Sequence, residues 1–399
     1  MDRIERGTGA FWWASTALFA GGFVTFAILY STQPLMPVFS RQFEVTPAVA
    51  SLSLSLATAT LAVFMMVAAT LSESRGRKII MTLSLFCSAA LALLISFSPD
   101  FSTLLGLRAL QGVALAGLPS IAMAYVGEEF QPGSLGLAMG LYVSGTTVGG
   151  MVGRIATGVL SDVYSWRVAL GTIGVLGLFC SLWFWIGLPA SANFTPQPLA
   201  NKRLVGPVIR HVKDPGLLCI FCIGFLLMGG FVALYNYVGY LLVAPPYLLS
   251  QAALGSIFVV YLAGTFSSAW MGKLTDGFGH PKILLTGIST MFVGGFLTLS
   301  GSLYVIIIGI AVYTFGFFGS HSVASSWVGQ RAIVDKAQAS SLYLLFYYAG
   351  SSLFGVVGGL FWTPYGWYGV VSMIMALLLL SLLLTGILSA APSQRSNTG

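Results

Sequence analysis

Two arginines lie inside long apolar runs, where a charge is costly. Arg108 and Arg154 each stand in a run long enough to cross a bilayer, about 9–11 Å from its outer end at 1.5 Å per helical residue. Such an arginine normally faces a cavity or a stabilising partner. Gln111 follows Arg108 by one helical turn. The two arginines are candidates for substrate binding or coupling, and Gln111 is a candidate for substrate binding. Pairing of the arginines with carbonyls, or snorkelling outward, is the alternative.

Acidic residues are absent from the middle of the apolar runs. All 11 Asp and Glu fall in loops, tails or the ends of runs. Coupling to protons would therefore use His321, whose unperturbed pKa is near 6.5, or Asp162 near Arg154, unless the chain exchanges two solutes. The alternative for His321 is a core histidine bonded to a hydroxyl group.

Aromatic and amide side chains cluster on three runs, where they would suit the wall of a cavity for amphipathic solutes. Gln33, Asn236, Tyr240 and Tyr347 are the candidates for substrate contact, and so is His321 in addition to its coupling role. Packing or anchoring at the membrane surface is the alternative for any single aromatic residue. The wider cluster comprises Tyr30, Gln33, Tyr235, Asn236, Tyr237, Tyr240, Tyr343, Tyr347 and Tyr348.

The composition defines the class of protein that must position these residues. Of 399 residues, 57% are hydrophobic and only 7% are charged, far below the roughly 25% of a soluble domain. The chain is therefore an all-α polytopic membrane protein. The net charge of +7 does not indicate nucleic-acid binding, since no soluble basic domain is present to carry a patch.

The apolar runs predict twelve transmembrane helices. With both termini on one side, 14 of the 18 Lys and Arg lie on that side and only Arg41 and Arg167 in the opposite loops, which predicts cytoplasmic termini. The predicted spans cover approximately 11–37, 48–71, 79–97, 102–126, 135–160, 168–188, 216–242, 251–271, 283–301, 304–328, 339–361 and 368–390.

The two halves of the chain resemble each other. Glu73 and Asp276 occupy matching turns after the second and eighth spans, and Gly76 and Gly279 keep the same spacing. Parallel six-helix repeats imply a pseudo-twofold axis along the membrane normal, with a site at midplane between the halves. We expect an N-terminal six-helix bundle at 1–188, a cytoplasmic linker at 189–215, a C-terminal six-helix bundle at 216–390 and a cytoplasmic tail at 391–399.

The matching turns carry a known signature. The loop 69–78 resembles that of the major facilitator superfamily, with Glu73, Gly76, Arg77 and Lys78 in place, while Ala69 and Ser74 depart from it. The run 107–112, Leu-Arg-Ala-Leu-Gln-Gly, resembles the fourth-helix motif of the family. The stretches 140–145, 321–327 and 339–343 resemble YnfM-type bacterial inner-membrane transporters of the drug/metabolite efflux branch.

The resemblance implies a gating role for the turns. Glu73 can meet a helix N-terminus and pair with Arg77, and such contacts form in one conformation and break in the other. The implied gating residues are Glu73, Gly76, Arg77, Lys78, Asp276, Gly279 and Lys282. A solvated turn with positive-inside charge is the alternative.

Glycines in the fifth span resemble the antiporter motif of the family. Gly150 stands where the family has Pro and Arg154 where it has Gly, and Gly359 is the repeat counterpart of Arg154. Small residues let helices approach closely. We therefore expect Gly145, Gly149, Gly150 and Gly153 to form a hinge or packing seam where the halves meet.

The resemblance and the residues together predict a secondary active transporter. We expect export of small organic solutes or drugs by proton-coupled antiport in a bacterial inner membrane. The alternative is an exchanger or importer of small anionic metabolites that uses Arg108 and Arg154. We expect no enzyme activity, cofactor or metal, and a functional monomer whose partners are the solute, protons and the lipid bilayer.

Overall fold

The structure, a computed structural model, describes residues 3–194 and 205–390. The predicted tail at 391–399 and the 195–204 part of the predicted linker lie outside the described residues, and so do the basic residues Lys202, Arg203 and Arg395.

Helices account for nearly all of the described backbone. The helices α1 to α15 are Gly9–Tyr30, Met36–Gln42, Pro47–Arg75, Arg77–Ser96, Phe101–Leu115, Gly117–Glu129, Leu135–Val163, Trp166–Gly187, Val205–Lys213, Pro215–Val243, Gln251–Ser256, Tyr261–Phe278, His280–Leu297, Leu303–Arg331 and Lys336–Ala390.

Side chains cap several of these helices. Asp100 precedes α5 and accepts hydrogen bonds from the backbone N–H of Thr103 at 2.8 Å and from its hydroxyl at 3.1 Å. These bonds favour the ionised form, so they hold the pKa of the Asp100 carboxyl below its usual value. Thr8, Thr46, Ser165 and Ser250 cap the starts of α1, α3, α8 and α11 in the same way.

The helices are long and apolar enough to cross a membrane at the predicted places. Ten segments of the described chain meet that description. One of them spans two predicted helices, because Gly366 interrupts α15 with φ of 56°. The 18-residue α13 occupies the place of the ninth predicted span. The chain is a multi-pass, all-helical membrane protein.

Three predicted spans are not single helices. The first, predicted as 11–37, divides into α1 and α2 around a 3₁₀ turn at Gln33–Leu35. The fourth divides at Ala116, and the eighth includes a 3₁₀ turn at Ile257–Val260. Pro34 explains the first break, since proline lacks an N–H and its ring clashes with the carbonyl four residues earlier.

The chain forms two compact units. Unit 1 comprises Met1–Lys202 and Val238–Val259, and unit 2 comprises Arg203–Tyr237 and Val260–Gly399. The last residues of α10, all of α11 and most of the 3₁₀ turn after it thus belong to unit 1.

In unit 1, α1 packs lengthwise against α7 at a seam of glycines. A Cβ at Gly145, Gly149 or Gly153 would collide with the backbone of Phe19, Phe23 or Ala27 on α1. The contacting residues recur every four positions on both helices, so the ridge that they form on α1 fits into the groove left by the glycines on α7. The sequence predicted this seam where the halves meet, whereas the structure places these three glycines inside unit 1, because they face α1.

In unit 2, α13 and α12 pack against α14, and α15 packs against α13. Gly350 repeats the glycine device, since its Cβ would meet the backbone of Phe225 on α10. A stacked pair of rings, Phe231 and Phe317, joins α10 to α14 with centroids 3.7 Å apart.

The two matching turns adopt the same backbone conformation. Gly76 has φ 99° and ψ 141°, and Gly279 has φ 79° and ψ 154°. Only glycine reaches this region without strain. Each glycine ends one helix and begins the next within a single residue, which explains the spacing that the repeat preserves.

The glycine seam yields a prediction with an internal control. Gly153→Ala places a methyl group 2.6 Å from Ala27 Cα, so overpacking should destabilise the protein by about 1–3 kcal/mol. Gly140 lies on the same helix with nothing within 4 Å of its added Cβ. Gly140→Ala should instead stabilise the helix by about 0.5–1 kcal/mol. Unfolding of the purified variants in detergent measures both; equal effects would contradict the seam.

Candidate functional site

The break in the first span exposes backbone carbonyls inside unit 1. The last four carbonyls of an α-helix have no partner within it. In α1, which ends at Tyr30, these include Ile28 and Leu29. Ser31 Oγ donates to the carbonyl of Ile28 at 2.9 Å, and Arg108 supplies the other donors.

Arg108 on α5 is 1% exposed and bonded mostly to backbone. Its Nη1 donates to Ile28 O at 3.2 Å, and its Nη2 donates to Leu29 O at 2.6 Å. Its Nε donates to Ser53 O on α3 at 2.5 Å. The C-terminus of α1 carries partial negative charge, so it also attracts the positively charged guanidinium. Arg108 therefore joins three helices.

Gln111 completes this frame. Its Oε1 accepts a hydrogen bond from Arg108 Nη1 at 2.5 Å, and its Nε2 donates to Ser88 O on α4 at 2.9 Å. The amide is 1% exposed. Gln111, one helical turn after Arg108 in the sequence, therefore pairs with it and ties α4 to the same frame.

Arg154 on α7 lies against the residues that follow the break. It is 2% exposed, and its Nε donates to Gln33 Oε1 at 2.7 Å. Its Nη1 donates to Gly150 O at 2.7 Å. The guanidinium carbon lies 4.0 Å from the ring centroid of Tyr30 and 4.7 Å from that of Phe258. Two aromatic faces thus stabilise the cation.

Gly150 makes room for this arrangement. A Cβ there would lie 3.3 Å from Arg154 Nη1, closer than a side chain ordinarily approaches. The two departures from the family motif, Gly150 and Arg154, are therefore one feature, because the small residue accommodates the large one.

Tyr240, another predicted contact, belongs to unit 1 and bonds to α2. Its hydroxyl lies 2.7 Å from Ser40 Oγ and 3.0 Å from Met36 O. Asp162 is exposed in the last turn of α7, eight residues or about 12 Å along the helix from Arg154. That separation exceeds an ion pair, so Asp162 does not contact Arg154 along the helix.

In unit 2, His321 sits in an aromatic cluster. Its Nδ1 lies 2.9 Å from the hydroxyl of Tyr343, and its ring centroid lies 4.5 Å from that of Tyr347. The Phe317 ring is nearly parallel to it, with centroids 6.1 Å apart. The predicted residues His321 and Tyr347 are thus neighbours. Asn236, 1% exposed on α10, also belongs to unit 2.

The turn after α3 contains an ion pair that the sequence did not predict. Arg77 donates to both oxygens of Glu128, with Nη2 to Oε1 at 2.7 Å and Nε to Oε2 at 3.2 Å. Its Nη1 donates to Ser72 Oγ at 2.8 Å, and its guanidinium carbon lies 5.4 Å from the ring centroid of Phe194. The sequence suggested Glu73 as a partner of Arg77 and did not name Glu128, which presents a bidentate carboxylate at the end of α6. The position of Glu128 near the end of the fourth predicted span was the only sequence signal for this ion pair.

The other turn residues lie at the ends of their helices. Lys78 is half-buried in the first turn of α4, and Asp276 is exposed in the last turn of α12. Within residues 3–194 and 205–390, no group of three or more His, Cys, Asp and Glu could hold a metal ion.

The bidentate pair should couple energetically. In a double-mutant cycle of Arg77→Met and Glu128→Gln, we expect about 1.5–3 kcal/mol of coupling, because the pair is charged, bidentate and largely buried. The exposed pair Arg210–Asp335 serves as the control and should give about 0.2–1 kcal/mol. Unfolding in detergent provides the four free energies. A coupling no larger than that of the control would contradict the pair's role in joining α4 to α6.

Comparison with known proteins identifies the family. The Major Facilitator Superfamily model matches residues 18–244. "Uncharacterized MFS-type transporter YybF" of Bacillus subtilis (strain 168) is 54% identical over 402 residues, covering 100% of both chains. "Inner membrane transport protein YnfM" of Escherichia coli (strain K12) is 44% identical over 380 residues, 95% of this chain and 91% of that protein.

Solved structures show the same fold at low sequence identity. A bacterial homologue of the human lysosomal transporter Spinster, inward-facing and unoccupied, matches with a TM-score of 0.75 and 14% identity over 96% of both chains. A point mutant of the nucleoside transporter NupG matches with a TM-score of 0.76 and 14% identity over 94% of this chain and 99% of that one. With a matching family model over more than half of its length and close relatives along all of it, the chain belongs to the major facilitator superfamily and is a membrane transporter rather than an enzyme.

Proposed function

We propose that this chain is a secondary active transporter that moves small organic anions by alternating access. The observation that supports the anionic charge is the pair of buried guanidinium groups in unit 1, Arg108 and Arg154, 1% and 2% exposed. Every Asp and Glu of the described chain lies in a loop or in the last three residues of a helix. A cationic interior attracts anions and repels cations.

Arg154 is the residue that we assign to the anion. Its present partners include two neutral oxygens, those of Gln33 and Gly150, and two ring faces. A carboxylate forms a stronger, bidentate pair with a guanidinium than a neutral oxygen does. An incoming organic acid can therefore compete with Gln33 for Arg154, and the adjoining rings of Tyr30 and Phe258 suit its apolar part.

The charge of Arg154 should set both rate and selectivity. Arg154→Gly installs the residue found at its repeat counterpart, Gly359, and should lower uptake of carboxyfluorescein into proteoliposomes at least about tenfold, as the loss of one charge-assisted hydrogen bond predicts. Uptake of rhodamine 123, a cationic dye, should not fall, because the variant removes a charge that repels it. Equal membrane insertion of variant and wild type is the control. Unchanged carboxyfluorescein flux would rule out the assignment.

The second candidate is proton-coupled export of small organic solutes or drugs, which the His321 cluster favours. A histidine beside a tyrosine hydroxyl can take up and release a proton, and the rings of Phe317, Tyr343 and Tyr347 suit aromatic solutes. The two candidate functions are compatible if a proton is exchanged for an organic anion or transported with it. The charge of the solute and the coupling to protons therefore need separate tests.

His321 should carry the response to a pH gradient. With His321→Ala, we expect a pH gradient across the liposome membrane to stop driving dye flux, while flux down a dye gradient continues, because only the titratable group is removed. Tyr343→Phe, which removes the hydroxyl at Nδ1, should shift the pH profile without abolishing it. Tyr304→Phe alters an exposed ring and serves as the control. Full pH-driven flux in His321→Ala would place coupling elsewhere.

We also propose that the transporter resides in a bacterial inner membrane, with both termini in the cytoplasm, and acts as a monomer. The excess of basic residues in alternate loops supports this orientation. The YnfM relative of Escherichia coli, an inner membrane transport protein, supports the location.

A further inference from the structure

We infer that Arg108 is a positioning residue, which holds the broken end of α1 so that Tyr30 and Gln33 meet Arg154. The inference rests on the proposed function in placing the anion at Arg154. It gives Arg108 a task different from direct contact with the solute.

The bonding of Arg108 leaves little for a solute. A guanidinium has five N–H groups. Four of them donate in the structure, to Ser53 O, Ile28 O, Leu29 O and Gln111 Oε1. Three of these acceptors are backbone carbonyl oxygens, whose partial negative charge stabilises the guanidinium but leaves its net charge of +1 in place.

The acceptors lie at the point where α1 stops. Ile28 and Leu29 belong to its last turn, and their carbonyls are among the last four of the helix, which ends at Tyr30 just before the turn that contains Pro34. An unsatisfied carbonyl inside a membrane protein is strongly unfavourable, because no water is present to donate to it. Arg108 thus stabilises a break that would otherwise be unfavourable.

The residues that Arg108 fixes are next to those that hold Arg154. Tyr30 follows Leu29 directly, and Gln33 lies three residues further on. The Tyr30 ring lies 4.0 Å from the guanidinium carbon of Arg154, and Gln33 Oε1 lies 2.7 Å from its Nε. A shift of the last turn of α1 would therefore move both groups.

The repeat supplies an internal comparison. The match of residue 116 with 318 aligns Arg108 with Ile310. In that half the corresponding first helix, α10, runs unbroken from Pro215 to Val243. Ile310 is fully buried. The half with the continuous first helix, α10, has Ile310 at this position, and the half with the broken first helix has Arg108.

Local mobility tests this inference without any substrate. Hydrogen exchange of residues 31–36 in purified Arg108→Lys should accelerate at least about tenfold, because an ammonium cannot reproduce the planar fork. Arg167→Lys is the matched control: Arg167 also donates to a carbonyl beyond a helix end in unit 1, Ser98 O at 2.8 Å, but it is remote from α1 in sequence. Unchanged exchange in Arg108→Lys, or acceleration spread evenly over unit 1, would overturn the inference.

A mutant cycle tests the link to the anion site. We expect Arg108→Lys to weaken binding of carboxyfluorescein about tenfold in the wild-type background and less than about twofold in Tyr30→Leu, since the ring that Arg108 holds against Arg154 is then already absent. Equal factors in the two backgrounds would mean that Arg108 contacts the dye directly, which overturns the inference. If the wild type binds no dye, the proposed function fails, and hydrogen exchange still decides the role of Arg108.

A second variant covers the case in which Arg108→Lys does not fold. Gln111→Leu removes the side-chain acceptor of Arg108 and retains the guanidinium. Exchange of residues 31–36 should rise in this variant by a smaller factor, about threefold. No change there would also count against the positioning role.

Discussion

The structure of unit 1 depends on a mutual requirement between a cation and a broken helix. Inside a membrane protein, carbonyls need donors and a guanidinium needs acceptors, because neither finds water. Arg108 and the last turn of α1 satisfy each other through bonds of 2.6 and 3.2 Å. Either feature alone would be unfavourable, and together they fix the direction in which the chain leaves α1.

Close backbone packing carries this local arrangement to Arg154. The glycine seam lets α7 touch α1 along its length, and Gly153, one of its members, directly precedes Arg154. The register of the seam therefore sets how far the Arg154 guanidinium reaches past the end of α1. It reaches Gln33 and Tyr30 because the break turns these residues toward α7.

Much of this architecture could be predicted from the sequence, because long apolar runs and glycine spacing report directly on helices in a membrane. The same reasoning found Arg108 and Arg154 as interior charges but did not identify which backbone carbonyls accept from Arg108, since a carbonyl belongs to every residue and leaves no trace in the sequence. Pro34 was the available signal for the break within 11–37. The pairing of Arg77 with Glu128 was missed because it joins residues 51 positions apart, where only tertiary packing brings them together.

Comparison of the two repeats separates scaffold from function. Positions that match, such as Gly76 with Gly279 and Gly145 with Gly350, serve the backbone, since each permits a turn or a close approach. Positions that differ carry charge or a titratable group: Arg154 against Gly359, and His321 against Pro119. Arg108 also differs from its counterpart, yet it accompanies a difference in the backbone itself. Arg154 departs from its counterpart where α7 and α15 both continue as helix, whereas Arg108 accompanies a broken first helix whose counterpart is continuous. This contrast supports different roles for the two arginines.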